Sequence, residues 1–265
     1  MNLRRTFLWR KLRERKILKQ HARVAAICEK LIADWRASGV TFDLEPKHHF
    51  DTDKIIWQYW AQGYDDVPEV VRQCLDSVDK YASDYTIVRL TDDNLSEYID
   101  VPDFIEQKRS TFSRAHFSDI LRLMLLKAYG GIWMDATIML LDSIPEEWAK
   151  QDFFVFRRDP NQDNIPYWRN TYAYYYGWAK GFRVNMLNSF IVAKRGNSTV
   201  SDLCDLMMLW WKNNDNVPDY FFFQILYDVY QPKADFPLVS DCLPHYMQQG
   251  LTSDYLCPIQ KLTYK

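Results

Sequence analysis

The spacing of apolar residues between positions 113 and 140 predicts a helix, a break and a buried strand. Over residues 120–128 the apolar side chains recur every three or four positions, which is the period of a helix. The glycines at 130–131 end it, because glycine tolerates the left-handed backbone of a helix exit. Residues 132–134 are apolar again and Asp135 follows them. A carboxylate at the end of a buried strand is costly unless a partner binds it, so Asp135 is the first candidate for a ligand site.

The predicted helix carries two charged residues that belong to the same candidate site. Asp119 and Arg122 are three positions apart and therefore share one face of the helix. Taken alone, they could form a surface ion pair worth under about 1 kcal/mol. We expect them instead to meet Asp135 around one bound ligand.

Strand and helix patterns alternate along the chain, which predicts an α/β fold with a mostly parallel sheet and helices on both faces. The tail after Pro232 lacks a clear pattern and is expected to be an irregular closure. Further predicted strands cover 55–60, 85–90, 153–156 and 189–193, and further predicted helices cover 69–81, 101–108, 198–211 and 219–230.

Residues 3–37 are predicted to form one long helix or two in sequence. Residues 1–37 hold eleven Lys or Arg against three acidic residues, a net charge of +8, whereas the whole chain carries −2. The helix could be solvated and packed on the domain by one face, or it could lie on an anionic membrane surface. Each basic residue near such a surface contributes on the order of 1 kcal/mol. We divide the chain into a basic helical extension with its connector, residues 1–53, and a main domain, residues 54–265.

Composition and charge argue against several classes of protein. The body outside residues 1–37 carries −10, which argues against a nucleic-acid-binding core. Five scattered cysteines without a CxxC pair indicate reduced thiols in a cytosolic protein, rather than a disulfide framework or a zinc site. No apolar run approaches the roughly 20 residues of a membrane span, and the N-terminus lacks the apolar stretch of a secretory signal.

Aromatic residues flank the candidate site, and they make up 16% of the chain. The polar loop 61–68 follows the first strand, and ligands of open α/β sheets bind beyond the carboxyl ends of strands. Tyr59 or Trp60 could therefore stack on a ligand ring, although either could be a core aromatic. Residues 157–180 are aromatic and turn-rich without clear periodicity, which is typical of a lid or binding loop.

This combination of residue types suits a sugar nucleotide. Carboxylates bind sugar hydroxyls, a cation such as Arg122 binds the diphosphate, and an aromatic ring stacks on the base. Asn185 and Asn188 are candidates for the acceptor side, with ordinary polar loop residues as the alternative. The sequence has no GxGxxG fingerprint, no P-loop motif, no GxSxG elbow and no HExxH motif.

Three segments carry a resemblance to a known family. KIIWQYW (54–60), SDILRLMLLKAYGGIWMDAT (118–137) and NSFIVAKRG (188–196) resemble the capsular polysaccharide synthesis proteins. These are glycosyltransferases related to the initiating α-1,6-mannosyltransferase of yeast and, more distantly, to the clostridial glucosylating toxins. The resemblance covers roughly residues 54–230. It implies a GT-A glycosyltransferase fold, a nucleotide-sugar donor and an Asp-X-Asp motif at a strand end.

The resemblance also implies roles for individual residues. Asp119 would contact the donor sugar, and Arg122 the sugar–phosphate region. Asp135 would be the first acid of the motif, placed toward the ribose and a metal-bound diphosphate. Asp119 and Asp135 are the catalytic candidates. The donor-binding candidates are Tyr59, Trp60, Asp119, Arg122, Gly131, Asp135 and Thr137.

One position departs from the family pattern, since Thr137 stands where the second acid is expected. A neutral hydroxyl is a poor ligand for a hard divalent cation. Either Asp135 holds Mn²⁺ or Mg²⁺ with help from a residue such as His245 or Asp241, or donor binding is metal-independent. In the second case Arg122 and other basic residues would carry the phosphate charge. We expect a retained but weakened metal dependence.

The resemblance implies a hexosyltransferase that acts on a surface or capsular polysaccharide intermediate, with retention of configuration. Its acceptor would be a glycan or a lipid-linked oligosaccharide. The basic helix would place a cytoplasmic protein on the inner face of the plasma membrane. The alternative is a catalytically degenerate domain that binds a sugar nucleotide or glycan, or that acts as a scaffold.

Overall fold

Strands and helices alternate through the first half of the chain, as the apolar spacing predicts. The structure is a computed structural model that describes residues 7–111, 113–232, 235–251 and 256–263. Positions 3–6 of the predicted N-terminal helix lie outside these ranges. The strands are β1 Ile55–Tyr59, β2 Thr86–Leu90, β3 Gly131–Met134, β4 Ile138–Leu140, β5 Phe153–Arg157, β6 Met186–Ala193 and β7 Ile259–Lys261. The helices are α1 Phe7–Ser38, α2 Glu69–Tyr81, α3 Asp103–Glu106, α4 Arg114–Ala128, α5 Glu146–Ala149, α6 Ile165–Thr171, α7 Ser198–Asn213 and α8 Phe222–Tyr230.

Five strands form the central sheet in the order β2-β1-β3-β6-β5. Strand β1 pairs in parallel with β2 and with β3. Strand β6 is antiparallel to both β3 and β5. Four strands therefore point one way and β6 runs against them, which confirms the prediction of a mostly parallel sheet.

Helices cover both faces of this sheet, as predicted. On one face, Trp57 and Trp133 are fully buried near α4, and the Trp57 ring lies 5.0 Å from that of Tyr129 at the end of the helix. On the opposite face, Phe154 stacks on Trp148 of α5 at 5.4 Å. The alternation of side chains along each strand is what supplies two apolar faces.

Helix α1 is a single helix, and most of its length belongs to the main core. Its buried residues begin at Ile17 and include Val24 and Cys28, which cluster with the core of the sheet and pack toward α7 and α8. The division into an extension and a main domain stays a prediction. No helix in the described part of the chain is both long and apolar enough to span a bilayer.

A second, two-stranded sheet brings the end of the chain back to β3. Strand β7 pairs antiparallel with β4, with Lys261 opposite Ile138. The backbone N–H of Leu262 donates to the carbonyl of Thr137 at 2.9 Å and extends the pairing. The tail after Pro232, which was expected to be irregular, therefore contains a strand that lies directly beside Asp135.

Candidate functional site

The carboxyl ends of β1 and β3 open into a cavity of about 520 Å³. That volume lies within the range of small-molecule sites in proteins. Strand β6 enters the cavity with its N-terminal half, because it runs against its neighbours. Of the residues predicted from sequence, the cavity is lined by Tyr59, Trp60, Asp119, Arg122, Asp135, Thr137, Asn188 and His245.

Helix α4 carries Asp119 and Arg122 into the cavity as a buried pair. The hydroxyl of Ser113 caps the helix by accepting a hydrogen bond from the His116 N–H. Arg122 Nη1 lies 2.8 Å from Asp119 Oδ1, and the Arg122 side chain is only 3% exposed. Asn188 Nδ2 donates to the same Asp119 oxygen at 2.8 Å. These contacts place the pair inside the site rather than on the helix surface.

Asp135 joins this pair and adds a cation that the sequence pattern did not indicate. Arg122 Nη2 lies 3.5 Å from Asp135 Oδ1, which also accepts a hydrogen bond from Trp133 Nε1 at 2.8 Å. Lys261 Nζ, delivered by β7, lies 2.8 Å from Asp135 Oδ2 and also donates to Thr137 Oγ1. Asp119, Arg122, Asp135 and Lys261 thus form one unit, which we call the charged cluster.

The two carboxylates of the charged cluster have opposite pKa shifts. Burial raises the pKa of Asp119 to about 6, although Arg122 and the hydrogen bond from Asn188 favour its charged form. Burial would also raise the pKa of Asp135, but the charges of Lys261 and Arg122 outweigh it and hold that pKa below its ordinary value. Near neutral pH, Asp135 is a fixed negative charge, and Asp119 is the carboxylate that titrates close to the working range.

Two further polar side chains point to a ligand. Ser189 Oγ on β6 and Gln224 Oε1 on α8 line the cavity and have no hydrogen-bond partner among the described residues. The two residues are 1% and 4% exposed. Buried polar atoms in proteins are nearly always paired, so a polar ligand would satisfy both. Gln224 lies within the apolar run 221–227 of a buried helix. Its polar side chain among apolar neighbours is the signal in the sequence that could have identified it.

An aromatic wall closes the other side of the cavity. Three of its residues come from the segment 157–180, which was predicted to be a lid or binding loop and which contains the short helix α6. Arg158 anchors this segment, because it donates to the carbonyls of Tyr175 and Gly177 at 3.0 and 2.9 Å. The wall consists of Tyr172, Tyr175, Tyr176, Tyr220 and Phe221.

Tyr59 and Trp60 both line the cavity but differ in their surroundings. The Tyr59 ring packs on Phe117, and its hydroxyl donates to Asp92, so its position is set by the core. Trp60 is half-buried just beyond β1, and its backbone N–H donates to the Leu90 carbonyl at 2.9 Å. Trp60 is therefore the better placed of the two to stack on a ligand ring.

The structure places two of the predicted binding residues, Gly131 and Asn185, outside the lining of this cavity. Gly131 lies at the start of β3, at the opposite end from Asp135, where an added Cβ would come within 2.6 Å of the Ile55 carbonyl oxygen. Its φ of +98° and this close approach explain why glycine is needed there. Asn185 donates to the Phe182 carbonyl and to Asp228, and it lines a separate cavity.

The residues around Asp135 do not fit a divalent cation. Asp241 is fully buried, and each of its carboxylate oxygens accepts a hydrogen bond of 2.8 Å from Arg158, so it is an ion-pair partner and not a metal ligand. His245 faces the cavity, and burial lowers its pKa to about 4. In the described ranges no cluster of three His, Cys, Asp or Glu could hold a metal. Lys261 supplies the positive charge between Asp135 and Thr137 instead.

Comparison with known proteins assigns the family. The model of the capsular polysaccharide synthesis protein family matches residues 6–265. The chain belongs to this family. The resemblance carried by the segments around Trp57, Asp135 and Ser189 is thereby confirmed.

Two relatives of this family member are named as O-glycosyltransferases. It is 30% identical to O-glycosyltransferase braB of Annulohypoxylon truncatum over 189 residues, 67% of this chain and 42% of that protein. It is 26% identical to O-glycosyltransferase PaGT of Phomopsis amygdali over 135 residues, 43% of this chain and 33% of that protein. The chain therefore spans less than half the length of either relative.

One solved structure, the PaToxG glycosyltransferase, is similar with a TM-score of 0.40. Its sequence is 17% identical, and the match covers 83% of this chain and 81% of that one. A similarity this low carries no weight for fold or function.

Proposed function

We propose that this family member is a glycosyltransferase that moves a hexose from a nucleotide-diphosphate sugar to a glycan or lipid-linked oligosaccharide acceptor, with retention of configuration. The observation that carries the proposal is the charged cluster, which lines the same cavity as Trp60 at the carboxyl ends of β1 and β3. It combines two carboxylates, which suit sugar hydroxyls, with two cations, which suit a diphosphate.

The proposed roles of the residues follow from the position at which negative charge develops during sugar transfer. When the bond between the sugar and the diphosphate breaks, negative charge grows on the leaving phosphate, and prearranged cations stabilise it. Arg122 and Lys261 would do this. Asp119, oriented by Asn188, would bind a sugar hydroxyl, and Ser189 and Gln224 would pair with polar groups of the donor or acceptor.

The assay that tests this function uses a panel of UDP- and GDP-sugars. Hydrolysis of one donor, or its transfer to an oligosaccharide, would support the proposal, and both are measured with excess EDTA and with excess Mn²⁺. The second candidate is a degenerate domain that only binds the sugar nucleotide, which Thr137 in place of an acid favours. A thermal shift with a sugar nucleotide, but no hydrolysis or transfer under either condition, would support that candidate.

The titration of Asp119 should appear in the pH dependence of transfer. We expect kcat/KM to fall as the pH drops below about 6, because the protonated carboxyl loses acceptor capacity. Asn188→Ala removes a hydrogen bond that favours the charged form, so it should raise the pKa of Asp119 and move the acid limb up by about 0.5 to 1 in pH. Asn185→Ala, which lies in the separate cavity, is the matched control. Equal shifts in both variants would contradict the assignment.

We also propose that the first turns of α1 lie on an anionic membrane. Leu8 and Leu12 are 66% and 53% exposed and share one helix face, with exposed Arg10 and Lys11 beside them. In flotation with vesicles that contain phosphatidylserine, the double change Leu8→Ser with Leu12→Ser should lower the bound fraction at least about fivefold.

The control for the flotation experiment is Leu238→Ser, which removes an exposed leucine far along the chain from α1. It should leave binding unchanged. Equal flotation of the wild type and the α1 variant, or no flotation of either, would remove the membrane proposal.

A further inference from the structure

Lys261 is held beside Asp135 by backbone structure rather than by chance contact of a flexible side chain. Strand β7 pairs with β4, and the hydrogen bond from Leu262 N–H to the Thr137 carbonyl continues that pairing to the motif itself. The neighbouring Gln260 is fully buried and donates to the Leu243 and Cys257 carbonyls. The Cα of Lys261 is therefore fixed from both sides.

Among the residues that the structure describes, the ammonium of Lys261 keeps one donor for a ligand. It carries three N–H groups, of which one donates to Asp135 Oδ2 and one to Thr137 Oγ1. Its side chain is 19% exposed and lines the cavity. The third N–H is thus available to a phosphate oxygen that enters from the cavity.

The charges leave little reason for a divalent cation to bind here. Asp135 and Lys261 neutralise each other, and Thr137 is uncharged, so the motif is balanced without a metal. A divalent cation on Asp135 Oδ2 would lie within a few ångströms of the Lys261 ammonium, and the two positive charges would repel each other strongly in this partly buried site. An acid at position 137 would change this balance by adding a negative charge next to Lys261.

We propose that Lys261 takes the place of a divalent cation in this site and that, together with Arg122, it binds the diphosphate of the donor without metal. The choice of ligand rests on the proposed function. Arg122 lies on the other side of Asp135, 3.5 Å from Oδ1, so the two cations flank one carboxylate. In this arrangement Thr137 positions the Lys261 ammonium, because its hydroxyl accepts a hydrogen bond from Lys261 Nζ.

The test measures the binding of UDP, GDP, UMP and GMP to the full chain by calorimetry, with excess EDTA and with excess Mn²⁺. For whichever diphosphate binds, we expect Kd values that agree within about twofold in the two conditions. Lys261→Met should weaken the diphosphate at least about tenfold in EDTA and the monophosphate much less. Lys261→Arg should recover part of the affinity. Lys194→Met, at an exposed ion pair with Asp152, is the control and should bind as wild type does.

Metal-dependent binding, lost in EDTA and restored by Mn²⁺, would overturn the inference, and this comparison needs no variant to fold. Equal loss of diphosphate and monophosphate affinity in a folded Lys261→Met protein would overturn it as well. These results are separable from the fate of the proposed function. Metal-dependent sugar transfer would refute the inference alone, whereas metal-free, Lys261-dependent binding with no transfer to any acceptor would support the inference and refute the transferase activity.

Discussion

Asp135→Asn is expected to lower kcat/KM for sugar transfer by about a hundred- to a thousandfold while the protein stays folded. The asparagine can keep one acceptor oxygen for Trp133 Nε1. Its amide N–H₂ would then face the Lys261 ammonium. Two hydrogen-bond donors would be in contact at the position where the wild type has an ion pair. The Lys261 side chain would therefore move away from this position, and it would no longer stabilise the negative charge on the leaving phosphate.

Steady-state kinetics with the active donor measures this effect, and an unchanged circular dichroism spectrum shows that the fold is retained. Asp152→Asn is the matched control, since it makes the same chemical change at an exposed ion pair with Lys194. That control should retain wild-type kinetics. A fully active Asp135→Asn protein would remove Asp135 and its ion pair from the mechanism.

Asp241→Asn is expected to lower the free energy of unfolding by about 3–5 kcal/mol. Asp241 is fully buried, and Arg158, whose side chain is 5% exposed, donates to both of its oxygens at 2.8 Å. The asparagine would leave the guanidinium as an uncompensated buried charge. Because Arg158 also anchors Tyr175 and Gly177, the loss should loosen the aromatic wall of the cavity.

Urea unfolding, followed by fluorescence and circular dichroism, measures the change. Asp34→Asn serves as the control, because Asp34 pairs with Lys30 one turn away on the exposed face of α1. An exposed pair of this kind contributes under about 1 kcal/mol. If both variants lost the same small stability, the buried pair would not have the structural role that its geometry indicates.

The periodicity of apolar residues predicts those features of the structure that depend only on residues close together in the sequence. Helix α2 runs from Glu69 to Tyr81, as predicted, because its apolar residues keep the helical period. Asp119 and Arg122 share a face for the same reason, and the break at the glycine pair places Asp135 at a strand end. These features need no knowledge of distant contacts.

Lys261 could not be predicted in this way. Strand β7 has three residues, too few for any periodicity, and its partner β4 lies far away in the chain. The ion pair joins residues 126 positions apart. The residues around Lys261 in the sequence do not distinguish it from the other lysines of the chain. It can be identified as a cation of the site only when the pairing of β7 with β4 is known.

Asp241, Asn185 and Gly131 do not line the candidate cavity, and the cause is related, since a residue's type does not reveal its partners. Asp241 is acidic and near the site, but Arg158 occupies both of its oxygens. Asn185 and Asn188 are three positions apart, yet the first bonds to Asp228 and the second to Asp119. Gly131 belongs to the segment that resembles the family, and an added Cβ at this position would meet the Ile55 carbonyl oxygen, so the backbone itself requires glycine there.

The late position of β7 has a consequence for synthesis of the protein in the cell. All five strands of the central sheet lie between residues 55 and 193, so they leave the ribosome before β7 does. A nascent chain can therefore assemble the sheet and position Asp119, Arg122 and Asp135 while the ammonium of Lys261 is still missing. The charged cluster is complete only when residues 259–262 have emerged and paired with β4, so the proposed binding of a diphosphate has to await this pairing.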